Sequence, residues 1–212
     1  KNISKILNKD GIFITESHYF LTLIKTLQYD TIYHEHLRYY TLTSLKIILK
    51  KFGFKLIHAK KIPTHGGSIR VYATKDKSLK SKKSIKKILF EEKKDITPKK
   101  IKIFSERVLQ SKFNLLKIIH KLKKNNKKIF GIGAPSRAST LASYVGLNKD
   151  FIECIGEIEG SKKIGNYLPG TDIPIISEKK LFKMKPDYLF LFSWHIAKEL
   201  KNNLKKRGFK GK

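Results

Sequence analysis

The second half of the sequence alternates short apolar runs with amphipathic stretches, and this alternation constrains the fold more than any other feature. Apolar runs bounded by turn residues predict buried strands, while apolar residues at helical spacing predict the helices between them. The predicted order is strand 128–132, helix 136–145, strand 151–158, helix 178–184, strand 187–192 and helix 195–207. Strands separated by helices are typical of a parallel sheet covered by helices. The sequence therefore predicts an α/β fold.

The first half predicts a smaller group of strands followed by a helical connector. Apolar residues recur at helical spacing over residues 42–52, with Thr41 or Thr43 as the N-cap and Gly53 as the C-terminal stop. Strands are predicted over residues 12–16, 54–62 and 68–74, and helices over 81–94 and 98–126. The junction at residues 63–67 could lie beside a ligand.

The formal net charge of +30 is the property that most suggests a nucleic-acid partner. However, lysine is spread over almost every predicted helix, and aromatic residues do not alternate with the basic runs as a base-stacking surface requires. We therefore expect a solvated basic surface and no specific nucleic-acid partner. Residues 75–87 form the densest basic cluster, and either solvation or an anionic partner would account for it.

Several features of the sequence bear on where in the cell the protein is located. No apolar run approaches the length that spans a membrane, and residues 1–10 do not have the pattern of a signal peptide. The single cysteine, Cys154, cannot form an internal disulfide. We expect a cytoplasmic protein without a membrane partner. The absence of an initiator Met, and a strand that would begin at Phe209, lead us to expect that both ends continue in a longer protein.

Four consecutive residues combine a phenol, two imidazoles and a carboxylate: Tyr33, His34, Glu35 and His36. A histidine beside a carboxylate and a phenolic donor can transfer protons near neutral pH, so these residues are a candidate active site. Two alternatives remain open at this point. His34 and His36 could bind a metal from one side of a strand, or the residues could form a polar turn before a helix.

A second candidate site follows the predicted strand 128–132. Gly131, Gly133 and Ala134 place small residues at a strand-to-helix turn, where backbone N–H groups can face a phosphate, although glycine there also serves close packing. Glu157 lies at the end of the next predicted strand, where α/β domains often hold ribose hydroxyls. A loop dense in Gly and Pro then carries Lys163 and Tyr167.

Taken together, Glu16 and residues 30–40, 64–68, 131–141 and 166–175 resemble the sugar C-methyltransferases that use S-adenosylmethionine on nucleotide-linked keto sugars. The resemblance covers nearly the whole chain. It implies the tail of a Rossmann-type methyltransferase domain at residues 1–78, a helical connector at 79–126, and a Rossmann-like domain at 127–212 that binds a nucleotide-diphosphate keto sugar. S-adenosylmethionine would bind mostly upstream of this chain, zinc is implied only in a missing N-terminal region, and no metal is expected here.

The resemblance also implies roles for individual residues. His36 would remove a proton from the carbon beside a ketone, Glu35 would orient or stabilise the imidazole, and Tyr33 would hydrogen-bond the sugar or its developing oxyanion. The implied substrate-binding residues are His65, Gly66, Gly67, Gly133, Ala134, Arg137, Glu157, Lys163 and Tyr167.

The sequence departs from the usual family pattern at three places. Residues 137–139 read Arg-Ala-Ser instead of a Lys-Gly-Asn-like run, Glu157 replaces a more usual Asp, and residues 193–195 read Ser-Trp-His instead of Pro-Trp-Asn. These differences affect the identity of the nucleotide and sugar. A dinucleotide-dependent oxidoreductase or a nucleotide-binding module is the alternative function, but it leaves Tyr33 and His36 unexplained.

Overall fold

The structure is a computed structural model that describes residues 2–212, and the chain divides into two units. The first unit comprises the chain up to Gln28 together with Arg38–Arg107. The second comprises Tyr29–Leu37 together with Val108–Lys212. The candidate catalytic residues at 33–36 therefore fold with the second half of the chain, although they lie near its beginning in sequence.

The first unit is built on a three-stranded antiparallel sheet. Its strands are β1 (Ile12–His18), β2 (Lys55–Ile62) and β3 (Ser68–Thr74), in the order β1-β3-β2. The alternate side chains of Ile69, Val71 and Ala73 on the central strand are all fully buried. The helices of this unit are α1 (Asn2–Ile6), α2 (Phe20–Thr26), α3 (Leu42–Lys51) and α4 (Lys83–Asp95). The predicted strand over residues 68–74 is confirmed.

Helix α3 begins where the capping residues predict. The Thr41 hydroxyl accepts a hydrogen bond from the Ser44 backbone N–H at 2.9 Å, and the Ser44 hydroxyl accepts one from the Thr41 N–H at 3.0 Å. This reciprocal pair satisfies two N–H groups that the first helical turn leaves without partners. Thr41, rather than Thr43, is the N-cap, and Gly53 follows the helix with φ of 80°.

A buried carboxylate joins α4 to the start of α3. Glu92 is 3% exposed, and it accepts hydrogen bonds from the Tyr19 hydroxyl at 2.9 Å and from the backbone N–H groups of Leu42 at 2.5 Å and Thr43 at 2.9 Å. The Thr43 hydroxyl donates a fourth bond at 2.6 Å. Because an anion at a helix N-terminus also interacts favourably with the helix dipole, Glu92 stabilises the packing of these two helices.

We predict that Glu92→Gln lowers the free energy of unfolding of the first unit by roughly 1–3 kcal/mol, because an amide cannot accept all four bonds and carries no charge. The neighbouring Glu91→Gln is the matched control. Glu91 forms a partly exposed ion pair with Lys61, and such pairs contribute about 0–1 kcal/mol. Urea unfolding followed by circular dichroism measures both. Equal effects of the two substitutions would contradict the role given to Glu92.

The long helix α5 (Pro98–Lys124) contributes residues to both units, since the division falls between Arg107 and Val108. It contains 27 residues and begins at a proline, which suits a first helical turn because its missing N–H needs no partner there. Ile119 on its later turns is 2% exposed and packs in the core of the second unit. The prediction of a long helix beginning at Pro98 is confirmed.

The second unit is a parallel sheet covered by helices. Its strands are β4 (Ile129–Ile132), β5 (Ile155–Glu157), β6 (Ile175–Ser177) and β7 (Tyr188–Leu191), in the order β6-β5-β4-β7. Every pairing is parallel. Its helices are α6 (Ser136–Val145), α7 (Glu178–Lys183) and α8 (Ala197–Lys206). The predicted α/β fold with a Rossmann-like parallel sheet is confirmed.

The strand order reverses at β4, which lies between β5 and β7. In sheets of this kind, the loops that leave the carboxyl ends of the two strands on either side of the reversal diverge and open a crevice for ligands. The loops that follow β4 and β7 begin at Gly133 and Phe192. The topology therefore predicts that the residues just after these two strands are candidate ligand contacts.

The structure differs from the prediction at three places in the second unit. Strand 151–158 is shortened to β5, because the Asn148 side chain accepts hydrogen bonds from the N–H groups of Asp150 and Phe151 and holds a turn there. Strand β6 was not predicted, since its three residues follow a proline and show no alternation. Residues 209–212 are not a strand, although Lys212 exchanges backbone hydrogen bonds with Asp187 and Leu189.

Within residues 2–212, none of the helices has the length and apolar composition needed to cross a membrane.

Candidate functional site

Two glycines shape the turn that follows β4, and they do so for different reasons. A Cβ atom on Gly131 would lie 2.7 Å from Ile155 and 2.8 Å from Phe192, so this position requires glycine for strand packing. Gly133 has φ of 72°, a backbone conformation that residues with side chains rarely adopt, and a Cβ there would lie 3.6 Å from the nearest atom, Ser193 Oγ. Gly133 thus turns the chain at the crevice, whereas Gly131 belongs to the core.

Ala134, Glu157 and Lys163 meet at this turn. The Glu157 carboxylate accepts a hydrogen bond from the Ala134 N–H at 2.6 Å, and the Lys163 ammonium donates one to the Ala134 carbonyl at 2.6 Å. Lys163 Nζ lies 3.8 Å from Glu157 Oε1, and its side chain is 51% exposed. The structure therefore brings together three of the residues that the sequence predicts, with a solvent-accessible cation at the carboxyl edge of the sheet.

Tyr167 lies on the loop that connects β5 to β6. A bridge between Tyr167 and Pro174, together with backbone hydrogen bonds between Gly165 or Asn166 and Ile175, holds this loop against the sheet. The Tyr167 side chain is nevertheless exposed. An exposed aromatic ring on a well-anchored loop is available to contact a planar ligand group.

One face of α6 binds the segment that carries the candidate catalytic residues. Arg137, Thr140 and Tyr144 are spaced three and four residues apart, so their side chains lie on the same side of the helix. The Thr140 hydroxyl donates to the Ile32 carbonyl at 3.1 Å, and the Tyr144 ring packs edge-on against Tyr29 with ring centroids 5.2 Å apart. These contacts fix the chain immediately before Tyr33.

The strongest attachment of this segment is a buried ion pair. Asp30 is 1% exposed and accepts two hydrogen bonds from the Arg137 guanidinium, from Nη2 to Oδ1 at 2.5 Å and from Nε to Oδ2 at 2.8 Å. Trp194 Nε1 also donates to Oδ2, at 2.7 Å. Arg137 Nη1 donates to His195 Nδ1 at 2.9 Å, and the guanidinium carbon lies 5.0 Å from the centre of the Trp194 ring. Thus α6 and the loop after β7 jointly bind Asp30.

Residues 33–36 form a tight turn just beyond this ion pair. The His36 N–H donates to the Tyr33 carbonyl at 2.9 Å, and the Tyr33 and His36 rings lie edge to face with centroids 4.8 Å apart. The Glu35 side chain is 59% exposed. Partial burial raises the pKa of Tyr33 above its ordinary value of 10, and the Glu35 charge adds to this shift. Tyr33 therefore remains a neutral hydrogen-bond donor at physiological pH.

The His65 turn lies in the first unit and has a constrained backbone. His65, Gly66 and Gly67 have φ of 52°, 83° and 126°. A Cβ on Gly67 would approach Thr22 to 2.3 Å, and the Gln28 amide donates to the Gly66 carbonyl at 2.7 Å. A non-glycine residue in the left-handed region is unfavourable, and such residues are often found at functional sites.

Glu16 supports the same turn from the neighbouring strand. Its carboxylate accepts a hydrogen bond from the Thr64 hydroxyl at 2.7 Å and two from Arg70, at 2.8 and 3.0 Å. The bond from Thr64, followed by those from Arg70, lowers the pKa of Glu16 below its ordinary value. The carboxylate that the sequence places at the end of a strand thus orders the start of the His65 turn.

Asp30 is the residue that sequence reasoning missed. It appears directly before the candidate catalytic residues, but its partner Arg137 lies 107 positions later, and no local pattern connects the two. The sequence marks Trp194 and His195 only as part of a departure from the family pattern, and it does not connect them with Asp30. Arg137 itself was predicted to contact the nucleotide sugar, and in the structure its guanidinium is buried against Asp30 and His195. The predicted role of Arg137 as a ligand contact stays a prediction.

The candidate metal pair gains no further ligand. Within residues 2–212, no group of three or more His, Cys, Asp or Glu side chains is arranged to hold a metal ion. His34 is 82% exposed, and its Nε2 lies 4.0 Å from Glu35 Oε1. The metal interpretation therefore lacks the ligand set that a bound zinc ion requires.

The fold is a Rossmann-like α/β domain, and its strand order reverses where domains of this class usually bind ligands. Residues 63–211 match the family described as the C-methyltransferase C-terminal domain, and the chain belongs to this family. The chain is also 30% identical over 206 residues to C-methyltransferase NovU of Streptomyces niveus, an alignment that covers 96% of this chain. Because it covers 49% of that relative, the chain spans about half of the relative's length. The resemblance to C-methyltransferases is confirmed.

Methyltransferases generally use S-adenosylmethionine, so the residues of this chain can be compared with the needs of that cofactor. A parallel sheet with a glycine turn provides a nucleoside site at its carboxyl edge. Within residues 2–212, the sheet of the first unit is antiparallel, so the first unit does not offer such a site. The parallel sheet of the second unit has a glycine turn, but nothing there distinguishes the nucleoside of the cofactor from that of a substrate, and we assign no residue of this chain to the cofactor.

We predict that Arg137→Ala lowers the free energy of unfolding of the second unit by about 3–5 kcal/mol, because it leaves the Asp30 carboxylate buried without its cation. The control is Arg207→Ala, which removes a more exposed ion pair with Glu178 and should change stability by about 1 kcal/mol or less. Urea unfolding monitored by circular dichroism measures both. A loss below about 1 kcal/mol for Arg137→Ala would show that the Asp30 pair contributes little.

Proposed function

We propose that this chain is part of an enzyme that transfers a methyl group from S-adenosylmethionine to a carbon beside the ketone of a nucleotide-linked deoxy keto sugar. The observation that carries the proposal is the ion pair between Asp30 and Arg137. It places Tyr33, Glu35 and His36 in the same unit as the glycine turn at the sheet edge. A proton-transfer group and a candidate nucleotide site thus share one folding unit.

The reaction requires three things from the protein. A weakly acidic proton must leave the carbon beside the ketone, the enolate oxygen must be stabilised, and the reacting carbon must be held in position. We propose that His36 accepts this proton, because a neutral imidazole is basic near pH 7. Glu35, its neighbour, would orient the ring or stabilise the imidazolium that forms.

Tyr33 would donate its phenolic hydrogen bond to the ketone oxygen as negative charge develops there. Its raised pKa supports this role, since a neutral phenol can donate and a phenolate cannot. The edge-to-face contact between the Tyr33 and His36 rings keeps the donor and the base side by side. S-adenosylmethionine, when bound, would supply the electrophilic methyl carbon, and the residues of this chain would supply the base, the hydrogen-bond donor and the position of the sugar.

The nucleotide end of the substrate would bind at the turn after β4. Lys163 offers a cation for the diphosphate, and the exposed Tyr167 ring offers a surface for the base or sugar. Gly133 and Ala134 would allow close approach of the backbone. Glu157 and Arg137 are largely buried against protein partners, whereas Lys163 is half exposed, so we propose that Glu157 and Arg137 act there mainly by shaping the turn and α6.

His65, Gly66 and Gly67 remain proposed substrate-binding residues. Their constrained backbone supports a functional reason for the turn, since close packing against Thr22 and Gln28 alone does not require a histidine.

The alternative, a dinucleotide-dependent oxidoreductase, is not favoured. It is supported only by the glycine turn and the parallel sheet, and it gives no role to Tyr33 or His36. Equilibrium binding distinguishes the two functions. Tight binding of NADH without binding of a deoxythymidine-diphosphate sugar would favour the oxidoreductase, and the reverse result would favour the sugar methyltransferase.

We predict that His36→Ala in the intact protein lowers kcat for methyl transfer by at least about 100-fold, the usual range for loss of a general base. The affinity for the nucleotide sugar should change little, because His36 acts on the sugar carbon. Transfer of a labelled methyl group measures turnover, and isothermal titration calorimetry measures binding. His120→Ala, an exposed histidine on α5, is the control and should retain activity. Near-normal turnover of His36→Ala would remove His36 from the mechanism.

We also predict that Lys163→Ala weakens binding of deoxythymidine diphosphate by roughly tenfold, because it removes a charge-assisted contact to phosphate. Lys162→Ala is a matched control, since this neighbouring lysine is exposed and the bond to the Ala134 carbonyl comes from Lys163. Calorimetry at two salt concentrations should show a weaker salt dependence for Lys163→Ala than for the wild type. Equal affinities of the two variants would place the diphosphate elsewhere.

A further inference from the structure

We infer that Asp30 is a positioning residue for the proposed reaction: it holds the turn at residues 33–36 in its working geometry through Arg137 and Trp194. This inference rests on the proposed function and adds to it a residue that neither the family match nor the chemistry of the turn identifies. The Asp30 carboxylate is bound by Arg137 and Trp194, so we infer that it acts through the chain that leads from Asp30 to His36.

Three attachments to α6 hold the chain just before the turn at residues 33–36. Tyr29 packs on Tyr144, Asp30 binds Arg137, and the Ile32 carbonyl accepts from Thr140. All three partners lie on one face of α6. A helix is a rigid support, so the position of α6 determines where the chain enters the turn.

Asp30 is suited to hold the chain and unsuited to accept a proton from a substrate. Both carboxylate oxygens are occupied, one by Arg137 Nη2 and the other by Arg137 Nε and Trp194 Nε1. The side chain is also only 2% exposed. A planar carboxylate bound by a planar guanidinium through two parallel bonds has a defined orientation as well as a defined position.

The hydrogen bond from Trp194 Nε1 attaches Asp30 to the loop after β7 as well as to α6. Trp194 lies in the loop after β7, and Arg137 lies in the first turn of α6 after β4. Asp30 therefore binds both the start of α6 and the loop after β7, which follow the two strands at which the strand order reverses. We infer that a nucleotide that displaces α6 or this loop would also displace Asp30 and the turn at residues 33–36.

The test compares Asp30→Asn with the control Asp150→Asn, an exposed aspartate of the same unit. Asp30→Asn is isosteric, but an amide cannot accept from both guanidinium nitrogens and the indole. We expect kcat for methyl transfer to fall at least tenfold while the KM for the nucleotide sugar changes less than threefold, at a temperature where both variants are folded. Asp150→Asn should match the wild type. A residue needed only for folding would leave kcat unchanged under these conditions, and that result would overturn the inference.

A second readout does not depend on turnover. Hydrogen exchange of the peptide that contains residues 33–36 should be at least tenfold faster in Asp30→Asn than in the wild type, because the His36 amide is protected by the turn. Unchanged exchange would overturn the inference. If the wild type transfers no methyl group to any nucleotide keto sugar, the proposed function fails, and the exchange experiment still decides whether Asp30 orders the turn.

Trp194→Phe provides a variant that keeps the ion pair and removes only the indole donor, so it remains informative if Asp30→Asn does not fold. It should lower kcat by a smaller factor than Asp30→Asn and increase exchange of the same peptide. Trp194 is the one tryptophan in this sequence, so its fluorescence is obtained by subtracting the spectrum measured with Trp194→Phe. The Trp194 fluorescence should shift in Asp30→Asn and stay the same in Asp150→Asn. An unchanged Trp194 fluorescence in Asp30→Asn would contradict the inferred contact.

Discussion

The buried ion pair between Asp30 and Arg137 is the interaction on which the proposed site depends. Removing two charges from water is costly, so a pair of this kind adds little to stability relative to apolar packing. Its main effect is on structural specificity. The Asp30 carboxylate can form its two bonds with the Arg137 guanidinium and its bond with the Trp194 indole only when the three segments that carry these residues are arranged in one way. The chain near residue 30 is thereby joined to α6 and to the loop after β7, and Tyr33 and His36 are placed accordingly.

In the proposed function, the second unit binds the nucleotide at one turn and carries out proton removal at another. Glu157 shapes the turn after β4, and the half-exposed Lys163 reaches this turn from the loop after β5, so a cation is available there for a phosphate group. The turn at residues 33–36 carries the imidazole, carboxylate and phenol that proton removal from carbon would use. Both turns are attached to the same helix, since α6 starts at the first and its Arg137 binds Asp30 before the second. A substrate bound by its nucleotide could therefore present its sugar to a base of fixed position.

Features that depend on neighbouring residues could be predicted from the sequence. Thr41 capping α3, the strand β3, Pro98 opening α5 and the parallel sheet all follow from patterns a few residues long, and all are present. Strand β6 could not be predicted, because its three residues are held as a strand only by pairing with β5. The start of β5 was placed too early, since the side chain of Asn148 holds a turn that hydrophobicity does not indicate.

The grouping of Tyr29–Leu37 with the second unit lay beyond sequence reasoning for the same physical reason. This grouping depends on partners more than 100 positions away, and the residues next to an aspartate in sequence do not show whether its side chain is buried or exposed. The candidate catalytic residues were recognisable by type, whereas the contacts that position them were not.

The central claim can be tested without the methyl donor, by incubating the intact protein with a nucleotide-linked keto sugar in D₂O and following the proton beside the ketone by NMR. The account predicts that the wild type replaces this proton with deuterium far faster than buffer alone and that His36→Ala does not. Exchange at the buffer rate with wild-type protein, or equal exchange with His36→Ala, would contradict it.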